Sequence, residues 1–176
     1  MLKDLYGLIR DVPDFPKPGI LFKDITPLLL DPPGFGQAVD RLVAPFRQAG
    51  VTKVAAIESR GFVLGAPAAL ALGAGLVLVR KPGKLPAGKR RVEYSLEYGT
   101  DALEMHADAV GAGDNVLVVD DVLATGGTAA AVAELVTQSG ASLVGLSLLI
   151  ELADLGGRGK LGAYPSVRAL LTYPRA

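Results

Sequence analysis

Val116-Leu117-Val118-Val119-Asp120-Asp121-Val122-Leu123-Ala124-Thr125-Gly126-Gly127-Thr128 is the stretch that decides the fold. Four apolar residues read as a buried strand that ends in two carboxylates. A loop of small residues and hydroxyls follows, and Ala129 to Val136 continues as a helix. Gly126 and Gly127 allow a sharp turn and a close backbone approach to a ligand. Several N–H groups and a helix N-terminus then face one point, which is an anion site suited to phosphate. Thr125 and Thr128 can add hydroxyl donors. The acids are not there for the phosphate. Carboxylates beside a phosphate site bind sugar hydroxyls or Mg²⁺, so the combination points to a phosphorylated sugar. A lone Gly-Gly pair after a strand is an ordinary capped turn; the acid pair makes this one a candidate ligand site. The segment fits neither the dinucleotide fingerprint nor the ATP phosphate loop.

Working outward, Lys53 to Ile57, Leu76 to Val79 and Leu143 to Ile150 read as further short buried strands, and Val167 to Tyr173 as a last, edge strand. Helices are predicted over Phe62 to Leu72 and around Val39, Leu42, Val43 and Phe46, with Pro45 as a kink. Apolar strands alternating with helices predict an α/β domain with a mainly parallel sheet flanked by helices. Ligands of such sheets bind beyond the carboxyl ends of the strands, which directs attention to the loops after Ile57, Val79 and Val119. Tyr94, Leu96 and Tyr98, then Leu103 and Met105, alternate as two strands of a hairpin joined near Gly99-Thr100. Leu2, Leu5 and Ile9 predict a short amphipathic N-terminal helix, Asp14 to Gly19 an irregular segment, and Asp154 to Lys160 a flexible loop.

Composition narrows the classes. The 176 residues suit one domain, with 50% hydrophobic and 20% charged residues, which excludes a disordered chain. Lys+Arg and Asp+Glu both number 18, so no global positive field gathers nucleic acid or anionic lipid. Without cysteine there are no disulfides and no thiolate metal sites, in keeping with a cytoplasmic setting. His106 is the single histidine and has no partner motif. Phe62 to Val79 runs 18 residues without a charge. Gly65, Pro67, Gly73 and Gly75 divide it into helix, turn and strand rather than a membrane span. The N-terminus has no apolar core long enough for a signal peptide.

The segment at 116–128 resembles the phosphoribosyl pyrophosphate motif of the type I phosphoribosyltransferases. Phe15 to Leu29, Glu58-Ser59-Arg60-Gly61-Phe62, Arg80-Lys81-Pro82-Gly83-Lys84-Leu85-Pro86 and Tyr94-Ser95-Leu96-Glu97-Tyr98-Gly99 resemble, in the same order, the adenine-specific branch of that family. The resemblance implies one phosphoribosyltransferase domain over residues 1–176, with an N-terminal hood and base-binding segment at 1–30 and a lid at 83–99. It implies Mg²⁺-dependent transfer of phosphoribose to adenine, giving AMP and pyrophosphate, in a cytoplasmic homodimer that binds no nucleic acid or membrane.

Residue roles follow by the same resemblance. Asp120 and Asp121 hold the ribose hydroxyls, and Ala124, Thr125, Gly126, Gly127 and Thr128 the 5′-phosphate. Mg²⁺ is held mainly through substrate oxygens near the two acids. Ser59, Arg60, Arg80, Lys81 and Lys84 contact pyrophosphate, with a strained peptide between residues 58 and 59. Leu21, Phe22 and Lys23 bind adenine, Phe22 by stacking. Glu97 is the acid/base group, Arg60 the second catalytic residue, and Tyr98 belongs to the lid. Taken alone, Arg60 reads as a surface ion-pair residue, Glu97 as solvent-facing and Phe22 as core. The six basic residues at 80–91 read as a solvated loop or a nucleic-acid patch. Two other readings stay open: transfer to another purine such as xanthine, and a non-enzymatic regulator that keeps the phosphoribosyl site.

Overall fold

Lys53–Ile57 and Asn115–Leu123 are nearly continuous apolar runs, the pattern of strands covered on both faces. In the computed structural model, which describes residues 3–95 and 99–174, they lie side by side at the centre of a parallel sheet. The strands are β1 (Arg10–Pro13), β2 (Leu21–Asp24), β3 (Lys53–Ile57), β4 (Gly75–Val79), β5 (Lys89–Ser95), β6 (Thr100–His106), β7 (Asn115–Leu123), β8 (Ser142–Leu152) and β9 (Val167–Tyr173). The helices are α1 (Thr26–Leu29), α2 (Pro32–Val43), α3 (Arg60–Leu72), α4 (Gly127–Gln138) and α5 (Gly157–Lys160). The chain divides into a smaller unit ending at Arg41 and a larger one beginning at Leu42.

In the larger unit the sheet order is β4-β3-β7-β8-β9, with every pairing parallel. Helix α3 connects β3 to β4 on one side, whereas β7 lies on the other side of β3. The winding therefore reverses between β3 and β7, and the crevice at such a reversal is where open α/β sheets take their ligands. The core lines both strands: Ala55, Val116, Val118, Leu146 and Leu148 are fully buried against Val132, Leu135 and Val136 of α4. Each of the Val and Leu side chains contributes roughly 1.5–3 kcal/mol. Strands β5 and β6 form a separate antiparallel hairpin, from Lys89↔His106 to Ser95↔Thr100. Its root is tied to the end of β4, where the Arg80 and Glu104 main chains exchange hydrogen bonds of 2.9 and 2.7 Å.

The smaller unit carries β1 and β2 as an antiparallel pair, Arg10↔Asp24 to Pro13↔Leu21. The expected N-terminal helix is not formed by the described residues, and Leu2 lies outside them. Tyr6–Leu8 makes one 3₁₀ turn and the chain then enters β1. A helix this short does not repay its nucleation, whereas β2 offers a ready strand partner.

Three further expectations change. Strand β7 does not stop at the acids but runs on to Leu123, because β8 continues to pair with it through Val122↔Ile150 and Leu123↔Glu151. Lys89, Arg90 and Arg91 are strand residues rather than part of an irregular basic loop, since β6 supplies their partners. Asp154 to Lys160 is a 3₁₀ turn followed by α5, held by side-chain contacts described below, and not a loose loop.

The carbonyl of Leu42, in the last turn of α2, has no acceptor role left within its helix. The buried Ser147 hydroxyl of β8 donates to it at 2.8 Å. Ser147→Ala should therefore lower stability by about 1–2 kcal/mol in urea unfolding. An unchanged midpoint would mean that this carbonyl finds another donor.

Candidate active site

The register sets the geometry. Ile57 pairs with Val79 and Ala56 with Val119, so Glu58, Arg80 and the Asp120–Asp121 pair emerge together beyond the last rows paired by β3. Helix α3 begins at Arg60 immediately beside them. A Cβ on Gly61 would lie 2.7 Å from Asp120 Oδ1 and 3.2 Å from the Val119 carbonyl, so only glycine lets the start of α3 come this close to β7.

The two acids sit in unequal settings. Burial, reinforced by the neighbouring Asp121 charge, holds Asp120 well above the ordinary carboxylate range. Its Oδ1 accepts the Asp121 N–H at 2.9 Å. Burial also raises Asp121, and the Arg60 guanidinium opposes that rise. Arg60 Nε lies 2.6 Å from Asp121 Oδ2. That oxygen is buried and receives no well-aligned hydrogen bond, so Arg60 acts on it as a nearby charge more than as a directed donor.

Beyond Leu123 the chain turns through Ala124 and Thr125 to Gly126, whose φ of 79° lies in the left-handed region. The first helical bond of α4 runs from Ala130 N to the Gly126 carbonyl at 2.9 Å. The preceding N–H groups, of Gly127, Thr128 and Ala129, have no acceptor within the helix. A twelve-residue helix adds its positive end to them. The result is a concentration of donors within one turn of the acid pair.

Two basic residues of the turn after β4, Arg80 and Lys81, are each matched to an acid. Arg80 Nε lies 2.7 Å from Glu58 Oε2, and Arg80 Nη1 donates to the Lys84 carbonyl at 3.3 Å. The same guanidinium carbon lies 6.0 Å from the centroid of the Phe62 ring. Lys81 pairs with Asp101 and donates to the Tyr94 hydroxyl at 3.3 Å. Burial alone would pull Lys81 down, but its bonds to Asp101 and Tyr94 outweigh this and hold it above the ordinary lysine value. Asp101 is lowered, first by its bond to Lys81. Tyr94 also meets the loop, because the Thr128 hydroxyl donates to its oxygen at 3.4 Å. The buried Glu104 accepts the Gly83 N–H at 3.0 Å and lies 3.5 Å from Lys89 Nζ, which steadies the 80–84 turn.

The structure thus brings Ser59, Arg60, Arg80, Asp120, Asp121 and the 124–128 turn to one end of the sheet, with Lys81 on the adjoining turn. The Glu58–Ser59 peptide is cis. Lys84 is exposed, and its main chain rather than its ammonium is engaged. Leu21, Phe22 and Lys23 lie on β2 in the smaller unit. There Phe22 meets Phe15 edge-on at 5.1 Å, and Lys23 pairs with Asp11 at 2.6 Å. Glu97 and Tyr98 fall outside the described residues. Tyr94, Asp101 and Glu104 escape sequence reading: each is an ordinary residue of an alternating strand until pairing places it beside the basic turn. Among the described residues no group of three or more His, Cys, Asp or Glu is placed to hold a metal ion, and no helix is long and apolar enough to cross a membrane.

Comparison with known proteins agrees with this geometry. The phosphoribosyl transferase domain family matches residues 28–164. The chain is 58% identical to the adenine phosphoribosyltransferase of Myxococcus xanthus (strain DK1622), over 98% of this chain and 94% of that protein. It is similar to the crystal structure of adenine phosphoribosyltransferase from Rhodothermus marinus, with a TM-score of 0.93 and 52% identity over 96% of each chain. The Saccharomyces cerevisiae adenine phosphoribosyltransferase, crystallised with an imino-altritol bisphosphate and adenine, matches with a TM-score of 0.87 and 42% identity over 94% of this chain and 95% of that one.

A folded-state pKa above the unfolded one means that Asp120 keeps its proton where the unfolded chain releases it. The stability linked to that proton is fully present below the ordinary Asp value of 3.8 and is lost as pH rises through the folded value. Asp120→Asn keeps an oxygen for the Asp121 N–H and removes the ionisable group. It should stabilise the protein at pH 7–8 by about 1–2 kcal/mol, with the gain shrinking as pH falls from the folded value toward 3.8 and vanishing below it. Thermal unfolding across pH checks this; a gain independent of pH would refute the electrostatic origin.

Proposed function

The chain belongs to the phosphoribosyltransferase family, and from this we propose that it transfers phosphoribose from 5-phosphoribosyl 1-pyrophosphate to adenine, forming AMP and pyrophosphate. The observation that carries the reading is the acid pair, Asp120 half-buried and Asp121 buried, set one turn before the free N–H groups of α4 and beside Arg60. A sugar phosphate needs both: carboxylates for its hydroxyls, and a donor-rich turn for its phosphate. Adenine as the base follows the near-full-length similarity to adenine phosphoribosyltransferases.

In this reading the ribose hydroxyls meet Asp120 and Asp121, and the 5′-phosphate meets the turn from Ala124 to Thr128. Binding energy gained at the phosphate, remote from the reacting carbon, serves to position that carbon. A purine ring nitrogen forms the new bond to C1 of the sugar as the C1–oxygen bond to pyrophosphate breaks. The sugar passes through a cationic state, and the bonding electron pair leaves with pyrophosphate. Ser59, Arg60, Arg80, Lys81 and Lys84 meet that departing charge. Arg80 and Lys81 exchange their carboxylate partners, Glu58 and Asp101, for pyrophosphate oxygens. Those partners orient the cations beforehand.

Mg²⁺ suits the site. Asp121 presents a buried oxygen without an aligned hydrogen bond, and hard oxygen donors are what this ion prefers. Two acids with no third carboxylate or histidine among the described residues agree with an ion that keeps waters and substrate oxygens around it. Bound there, it supplies neutralisation of phosphate charge. Leu21, Phe22 and Lys23 receive the adenine, within a hood formed by residues 1–30 of a single phosphoribosyltransferase domain. Glu97 moves the proton at the base, and the 83–99 segment with Tyr98 closes over the reacting centre to exclude water. The working form is a cytoplasmic homodimer that engages neither nucleic acid nor membrane.

Pyrophosphate release from the phosphoribosyl donor with Mg²⁺ should occur with adenine and not with hypoxanthine, guanine, xanthine or uracil. Turnover with another base would keep the chemistry and overturn the base assignment. Silence with all five, in a protein that still binds the donor, would favour a regulator. Glu97→Gln should lower kcat about 10²–10⁴-fold with a smaller change in KM for adenine. Full activity would remove Glu97 from proton transfer.

A further inference from the structure

The turn after β7 rests on a second segment far along the chain. Gly157, the first residue of α5, is buried against it. A Cβ on Gly157 would overlap the Ala124 carbonyl oxygen and lie 2.8 Å from the Gly126 nitrogen. Reciprocally, a Cβ on Gly126 would overlap the Gly157 carbonyl and lie 3.1 Å from its Cα. Two stretches of main chain therefore touch directly, with no room for a side chain on either. The contact also has a direction. The Ala124 carbonyl is turned toward Gly157, and a trans peptide places its N–H opposite its carbonyl. The N–H of Thr125 is consequently turned away from Gly157, to the side opposite this support.

The support is itself anchored. Arg158 Nε donates to Glu151 Oε1 at 2.8 Å, Nη2 engages the other oxygen, and Nη1 donates to the Val167 carbonyl at 2.9 Å. Glu151 is buried on β8 and paired in register with Leu123, the last residue of β7 before the turn. Val167 is the first residue of β9. One guanidinium thus ties the start of α5 to β8, at the row where the turn leaves the sheet, and to the beginning of β9. Leu161, just beyond α5, is fully buried and closes the segment from the other end.

We propose that Gly157 and the Glu151–Arg158 ion pair are positioning residues for the 5′-phosphate turn, holding the Ala124–Thr125 peptide so that its N–H faces the phosphate. The proposal rests on the reading of residues 124–128 as the phosphate site. It assigns a role to a segment that the sequence presents as a loop of glycines and charges. Gly157 sets the position of the turn by contact, and Arg158 sets the position of Gly157. A buried carboxylate left without its guanidinium is costly, so loss of Arg158 displaces the support rather than merely loosening it.

The test compares Gly157→Ala, Arg158→Ala and Arg158→Lys with Gly127→Val inside the turn and with Ser147→Ala as a destabilised variant remote from it. Steady-state kinetics would be joined to calorimetric titration with ribose 5-phosphate. Gly157→Ala and Arg158→Ala should raise KM for the phosphoribosyl donor and weaken ribose 5-phosphate binding by about tenfold or more. KM for adenine should move under about twofold, and Ser147→Ala should change neither. Arg158→Lys reaches Glu151 without the bidentate fork and should fall in between. If Gly127→Val weakens ribose 5-phosphate binding while the Gly157 and Arg158 variants do not, the positioning role is overturned. If Gly127→Val itself leaves binding unchanged, the phosphate-site reading fails and this proposal with it. Should Gly157→Ala not fold, the two Arg158 variants decide.

Discussion

The parallel register of β3 with β4 and β7 is the constraint on which the rest depends. It brings Glu58, Arg80 and the Asp120–Asp121 pair to one level at one end of the sheet. None of these residues is near another pair in sequence. The reversal of winding between β3 and β7 opens a crevice there, and the beginnings of α3 and α4 flank it. A slip of one residue in either pairing would turn the acids to the opposite faces and separate Arg60 from Asp121.

Charge within the site is balanced locally before any substrate arrives. Arg60 faces Asp121, Arg80 faces Glu58, and Lys81 faces Asp101. This explains how a chain with no net charge presents a strongly cationic turn. The cations are held by partners that a more highly charged ligand can displace. Asp120 is the exception: it is half-buried beside another acid, and its ionised form is disfavoured. Such a group costs stability in the free protein and is retained where a ligand supplies the missing partner.

The core elements were legible from sequence because their apolar runs have one reading. Val116–Val119 and Lys53–Ile57 are too short and too rich in β-branched or small residues for buried helices, and both are strands of the parallel sheet. The acid pair and the Gly126-Gly127 turn stood out as a candidate anion site for the same local reason. The N-terminal segment misled: Leu2, Leu5 and Ile9 carry helical spacing, but pairing with β2 draws Arg10–Pro13 into a strand. The 154–160 segment misled in the other direction. Its glycines read as freedom, whereas Gly157 is glycine because Ala124 and Gly126 occupy the space of a side chain.

The sequence by itself determined the fold class, the family, and the residues proposed to carry the sugar-phosphate chemistry. These are properties of periodicity and of motifs contained within a few consecutive positions. Only the tertiary structure decided which acid faces which base, that Tyr94 and Asp101 attend Lys81, and that α5 supports the turn after β7. The physical reason is range. Propensity and patterning act between near neighbours, whereas ion pairing and close main-chain contact depend on strand order and register, which join distant residues only once the sheet has formed.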